Sequence, residues 1–199
     1  LTEEYLLGRY DCGWIDNGTL FWTIDINGNV RNGKVQVYCT DIDSPSFMHY
    51  DKSPGKMMWI GKQLVKSGVV HEPNPHFDIN ALFGEHLLRR NPNSLVILTE
   101  SPKNALLGAA FMPQYLWLAA GNKSALRRSN LEVLRGRDVQ VYADLDAIDE
   151  WTCLLDSMRD IANFHVSDFC RTMAPEGNDK YDIADFLVDT RLGRYTAGR

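Results

Sequence analysis

The chain has 199 residues, 44% of them hydrophobic and 24% charged, with a net charge of −5 and a pI near 5.5. That length allows one large domain or two small ones around a sizeable core, and the negative charge argues against broad duplex binding, which rests on Lys and Arg neutralising phosphates. No apolar run approaches the ~18 residues of a membrane span, and the four cysteines form no CxxC pair, so reduced thiols in a cytoplasmic protein are expected.

Residues 1–93 read as a β-rich N-terminal segment. The start, Leu1-Thr2-Glu3-Glu4-Tyr5, lacks a signal peptide and an initiator Met, so a fragment or a trimmed chain is the expectation. Thr19–Ile26 alternates as a strand, Asn27-Gly28-Asn29 offers a hairpin turn, and Val35–Tyr38 answers as a second strand. Asp43–Ser46 and Lys52–Lys56 carry turn chemistry. His71–His76 is extended, because its two prolines exclude helix. Asn80–Leu88 has a short helical pattern before a boundary at Asn91-Pro92-Asn93.

From Ser94 to the end, strand and helix alternate. Strand Leu95–Thr99 leads into helix Pro102–Phe111, with Pro102 in the first turn, where its missing N–H costs little. Strand Tyr115–Ala119 follows. Ser124 is placed to cap the next helix, whose apolar face is Leu126, Leu131 and Leu134. Strand Asp138–Ala143, a helix over about Ala147–Ala162, a weak strand at Phe164–Val166 and a last helix over Ile183–Thr190 complete the pattern. Repeated β–α units with short links predict an α/β fold with a parallel sheet.

Two of these strands end in acids: Glu100 after the first, Asp144 and Asp146 after the third. In such sheets the carboxyl ends of the strands line the ligand crevice, so the three carboxylates are expected to converge there. Gathered acids repel, and Mg²⁺ (or Mn²⁺) is the usual remedy, bound by carboxylates together with substrate phosphates. Plainer readings stand beside this one. Glu100 suits a helix start, where the dipole favours an acid, and Asp-x-Asp is common in turns. The basic group Lys123, Arg127, Arg128, Arg135 and Arg137 reads either as a phosphate-binding surface or as a solvated helix face. Trp14, Trp22 and Trp59 suit either base stacking or sheet packing.

Segment Leu95–Asp146 resembles a Toprim domain, the metal-binding module of bacterial primases, topoisomerases and related nucleases. Its string Val96–Leu106, VILTESPKNAL, is similar to the Glu-Gly-x-x-Asp-Ala-Leu string of primase-like members. Gly18–Tyr38 is similar to the strand-rich segment that precedes the primase core, Phe77–Leu88 to the stretch leading into it, and Asp182–Leu187 to the Lys-Asp-x-Asn-Asp-Leu-Leu ending. The chain as a whole resembles an uncharacterised Toprim-like group carried by bacterial mobilisable elements.

The resemblance implies a Toprim-like Rossmannoid domain over 94–199 and primase-related, Mg²⁺-dependent nucleic-acid processing in a mobile-element or replication setting. Metal would be held by Glu100, Asp144 and Asp146, with Glu100 catalytic. Lys103, Lys123 and Arg127 would contact phosphate. Single-stranded DNA or RNA, nucleotides, and replication or mobilisation proteins are the implied partners. Three departures stand out: Ser101 replaces the Gly after the catalytic Glu, Ala147 follows the Asp pair without a Gly, and the early zinc-binding cysteines of primases are absent from this sequence. The alternative is therefore the same fold as a catalytically inactive module that recruits DNA or a protein.

Overall fold

The computed structural model describes residues 3–41, 56–71 and 81–193. The turn read at Asp43–Ser46, residues 52–55 of the turn read at Lys52–Lys56, all of the extended stretch after His71, and Asn80 lie outside the described residues. The chain divides into two compact units, 2–86 and 87–199.

In the first unit, helix α1 (Glu3–Arg9) precedes strands β1 (Cys12–Ile15), β2 (Gly18–Ile24), β3 (Val30–Gln36) and β4 (Met57–Trp59), and helix α2 (Ile60–Lys66) follows. The strands form one antiparallel sheet in that order. β2 stops two residues before its expected end, because Asp25 builds the turn itself: its carboxylate accepts the backbone N–H of Asn27 and of Asn29, both at 2.9 Å. β3 in turn begins at Val30, earlier than the β-branched pattern suggests. Gly33 lies opposite Trp22, and a Cβ there would meet the Trp22 ring at 2.6 Å; glycine is what lets the indole lie across the strand. Tyr10, Phe21 and Phe83 pack as a ring cluster at the centre. Beside it, buried Glu85 accepts N–H groups from Ile26 and Leu82, both at 2.8 Å. Of the three tryptophans, Trp14 is 63% exposed, Trp22 and Trp59 are half-buried, and the Lys34 ammonium lies over the Trp59 ring.

The second unit is α/β, as the repeating pattern predicts. Strands β5 (Val96–Thr99), β6 (Leu116–Ala119), β7 (Asp138–Tyr142) and β8 (Asn163–Val166) form a parallel sheet in the order β6-β5-β7-β8. Both β5 and β6 are buried along their whole length, which is why they read as unbroken apolar runs. Between them runs α3 (Pro102–Phe111), capped by the Ser101 hydroxyl, which accepts the N–H of Asn104. α4 (Arg128–Leu131), α5 (Ile148–Asp156), α6 (Phe169–Met173) and α7 (Ile183–Arg191) follow.

Several expected helices are altered. Asn80–Leu88 gives a 3-10 turn at Glu85–Arg90. The helix expected from Ser124 is broken into a 3-10 turn at Lys123–Ala125, then α4, then a second 3-10 turn at Glu132–Leu134. Asn122, not Ser124, caps the first piece: its side chain accepts the Ser124 N–H at 3.1 Å. Leu126 and Arg127 are extended, and Asn130 donates to the Ala125 carbonyl released by that break. α5 ends at Asp156, where the Ser157 hydroxyl donates to the Leu154 carbonyl; Met158 and Ile161 beyond it remain buried.

Candidate functional site

β5 and β7 are neighbours in the sheet, and Thr99 pairs with Tyr142. Glu100 is therefore one residue, and Asp144 two residues, past paired strand ends on the same edge. Fixed backbone contacts hold both. The Glu100 carbonyl accepts the Gly121 N–H at 2.8 Å, tying the end of β5 to the loop after β6. Asp144 opens a 3-10 turn, Leu145–Ala147, and the Leu145 N–H, between the two aspartates, donates to the Tyr181 carbonyl at 2.9 Å. The loops after three strands and the segment entering α7 thus meet at the carboxyl edge.

Asp144 is the electrostatic centre. Burial, then the charges of Asp182, Glu100 and Asp146, push its pKa well above the ordinary carboxylate value, against the opposing pull of Lys103. Its Oδ1 accepts from Asn104 Nδ2 at 3.3 Å. Asn104 is 0% exposed, and its Oδ1 is a buried acceptor with no hydrogen-bond partner. Asp146 is exposed.

Each basic residue singled out by sequence has a defined place. Lys103 is 8% exposed; its ammonium donates to Asp182 Oδ2 at 3.1 Å and lies 4.0 Å from Asp185 Oδ1. Burial works against its charge, but Asp182, then Asp185 and Asp144, outweigh burial and hold its pKa above the ordinary lysine value. Lys123 donates to the Asp146 carbonyl at 2.7 Å and lies 3.4 Å from Glu150, so it is at the acidic turn. Arg127 is exposed nearby in sequence. Arg128 makes a bidentate pair with Asp160, and Arg135 pairs with Glu132. Arg137 donates to the Asn91 and Leu88 carbonyls, at the amino edge of β7 and away from the acids.

Asn104, Asp182 and Asp185 were missed as members of this group. Counting from Glu100, Asn104 falls where the primase-like string has Asp, which was the available signal. Asp182 and Asp185 form a capping box at the start of α7, each side chain accepting the other's backbone N–H; the spacing Asp-x-x-Asp before an apolar run announces that box.

The donor set is all oxygen and suits a hard cation. Among the described residues, no three His, Cys, Asp or Glu side chains are grouped to hold an ion unaided. Mg²⁺ is commonly held by one or two carboxylates together with waters and phosphate oxygens. The orphan Asn104 Oδ1 beside Asp144 is a further oxygen with capacity for a cation or its water.

A family model described as a domain of unknown function (DUF6371) matches residues 1–145. The chain belongs to that family. No curated protein matches it. Solved structures with the same fold are primase domains. The primase fragment of the bacteriophage T7 primase-helicase aligns at TM-score 0.52 and 13% identity over 94% of this chain and 66% of its own. The RNA polymerase domain of Mycobacterium tuberculosis primase DnaG aligns at TM-score 0.54 and 13% identity, covering 98% of this chain and 62% of its own. The same domain in complex with double-stranded DNA aligns at 0.52 and 14%, over 98% and 59%. The fold is thus primase-related, and the chain spans less than two thirds of those structures' length. Among the described residues, no helix is long and apolar enough to cross a membrane.

Proposed function

We propose that this chain is a Toprim-like, primase-related domain, running from about Ser94, that processes nucleic acid with the help of Mg²⁺ or Mn²⁺. One observation carries the reading: Asp144 stands half-buried at the carboxyl edge of a parallel sheet, in the field of Glu100, Asp146 and Asp182, beside an amide oxygen with no partner. A site that concentrates negative charge and leaves a buried acceptor open is suited to a cation. Fold alone does not give function; here the acids and the fold point the same way.

Asp144 and Asp146 would hold the cation, with Glu100 completing the set or moving a proton to or from the reacting hydroxyl. The cation, when bound, stabilises charge developing on a phosphate during phosphoryl transfer. Lys123, which lies at the acidic turn, and exposed Arg127 would bind the phosphate backbone of single-stranded DNA or RNA, or of a nucleotide. The setting would be a mobile element or a replication system, as its resemblances indicate.

A second reading is favoured by the lack of a three-acid cage among the described residues and by Ser101 after Glu100: a binding module without turnover. A primer-synthesis assay on single-stranded template with Mg²⁺ and nucleotides separates the two. The enzyme reading expects product that Glu100→Gln abolishes while leaving nucleic-acid affinity intact. Binding without product in either protein selects the module, and no binding at low salt with or without Mg²⁺ refutes both.

A further inference from the structure

The acidic edge contains a built-in cation. Lys103 leaves the first turn of α3 and places its ammonium between two carboxylate oxygens of α7, 3.1 Å from Asp182 Oδ2 and 4.0 Å from Asp185 Oδ1. All three side chains are about nine-tenths buried. The other oxygens of the two acids serve the capping box: Asp182 Oδ1 accepts the Asp185 N–H at 2.9 Å, and Asp185 Oδ2 the Asp182 N–H at 3.1 Å. The oxygens facing Lys103 are therefore fixed by the fold and do not depend on the ammonium to set their direction. A lysine ammonium is a compact point charge, close in role to a small hard ion.

Asp144 is differently placed. Its hydrogen bond is with Asn104, whose Oδ1 is buried without a partner; Lys103 acts on it only through its field, with no lysine ion pair to Asp144 among the described residues. The edge therefore has two acidic places side by side, one filled by the chain's own lysine and one not.

We infer that Lys103 is the resident counter-ion of the Asp182–Asp185 place, so that the edge takes one divalent cation, at Asp144, and is barred from taking a second. Lys103 is then a positioning residue for the cation chemistry proposed above, on which this inference rests, and not a phosphate contact. Removing the ammonium leaves the charges of Asp182 and Asp185 without their counter-ion, and a hard divalent ion favours carboxylate oxygens.

The test is Mn²⁺ stoichiometry on the full chain, read from the free-Mn²⁺ electron paramagnetic resonance signal. Wild type is expected to bind one ion and Lys103→Met two, with Lys103→Arg back at one. Lys103→Met/Asp182→Asn, which removes both charges of the pair, is also expected to bind one, with affinity within about threefold of wild type, and it keeps the test open if the single variant fails to fold. Two ions on wild type, no added ion on folded Lys103→Met, or loss of the ion from the double variant overturns the inference. No ion on wild type, whatever the variants bind, overturns the inference together with the cation reading of the previous section, whereas the preceding outcomes, in which wild type binds, overturn the inference alone.

Discussion

Gly108 faces Trp117 across the contact between α3 and β6, and a Cβ there would lie 2.2 Å from ring atom Cε3, with two more ring carbons at 2.3 and 2.4 Å. Ordinary contact begins at 3.4 Å, so Gly108→Ala requires helix or ring to yield by roughly 1 Å, which in a close-packed core is a strain of about 1–3 kcal/mol. The ring cannot swing away cheaply. Trp117 is 0% exposed, donates its Nε1–H to the Met112 carbonyl at 3.1 Å and stacks on Tyr142. Alanine recovers about 1 kcal/mol of helix propensity, but three ring atoms overlap at once, so the upper end of the strain range applies and a net loss of about 2 kcal/mol is expected. For a chain of this size that lowers Tm by roughly 4–8 °C. Because α3 carries Lys103 and Asn104, the displacement should also weaken Mn²⁺ binding. Thermal and urea melts of the full chain, with and without Mn²⁺, measure both effects. Trp117→Leu should be less harmful in the Gly108→Ala background than alone, as contacting residues couple. A Gly108→Ala protein that melts at or above the wild-type temperature would refute the packing argument.

Mg²⁺ or Mn²⁺ should raise the melting temperature of wild type by mass action and leave Asp144→Asn/Asp146→Asn unmoved. The folded pKa of Asp144 is raised, so above the ordinary carboxylate pKa the native state binds more protons than the unfolded one, and stability falls as pH rises through that window. Without metal, Asp144→Asn should therefore gain on wild type from about pH 4 upward; a constant difference across that range counts against the burial of Asp144. In filter binding to single-stranded DNA, Lys123→Ala/Arg127→Ala should weaken affinity and reduce the salt slope by about 1–2, while Arg135→Ala, already paired with Glu132, should change little. Glu85→Ala strands the N–H groups of Ile26 and Leu82 and should cost about 2–3 kcal/mol in urea melts, with Glu85→Gln intermediate.

The sequence by itself determined the strand–helix alternation and the acids at its strand ends. β5 and β6 are uniformly apolar because both faces are covered, and α3 announces its start with Ser101 and Pro102; these signals are local, and the structure places those elements within a residue of the pattern. Where nearest neighbours decide little, the reading failed. The Lys123–Leu134 region breaks because side chains of Asn122 and Asn130 compete for its backbone, and β4 and α2 have no periodic signal long enough to read. Strand order was not legible either, since it depends on which apolar faces meet, and it is that order which puts Glu100 beside Asp144. The role of Lys103 was the deepest of these omissions. In sequence it is one lysine in a helix start, equally suited to solvent or to phosphate. Only the approach of α7, 79 residues further on, surrounds it with Asp182 and Asp185 and turns a surface-type residue into a buried ion, because the charge that makes its burial tolerable comes from the far end of the chain.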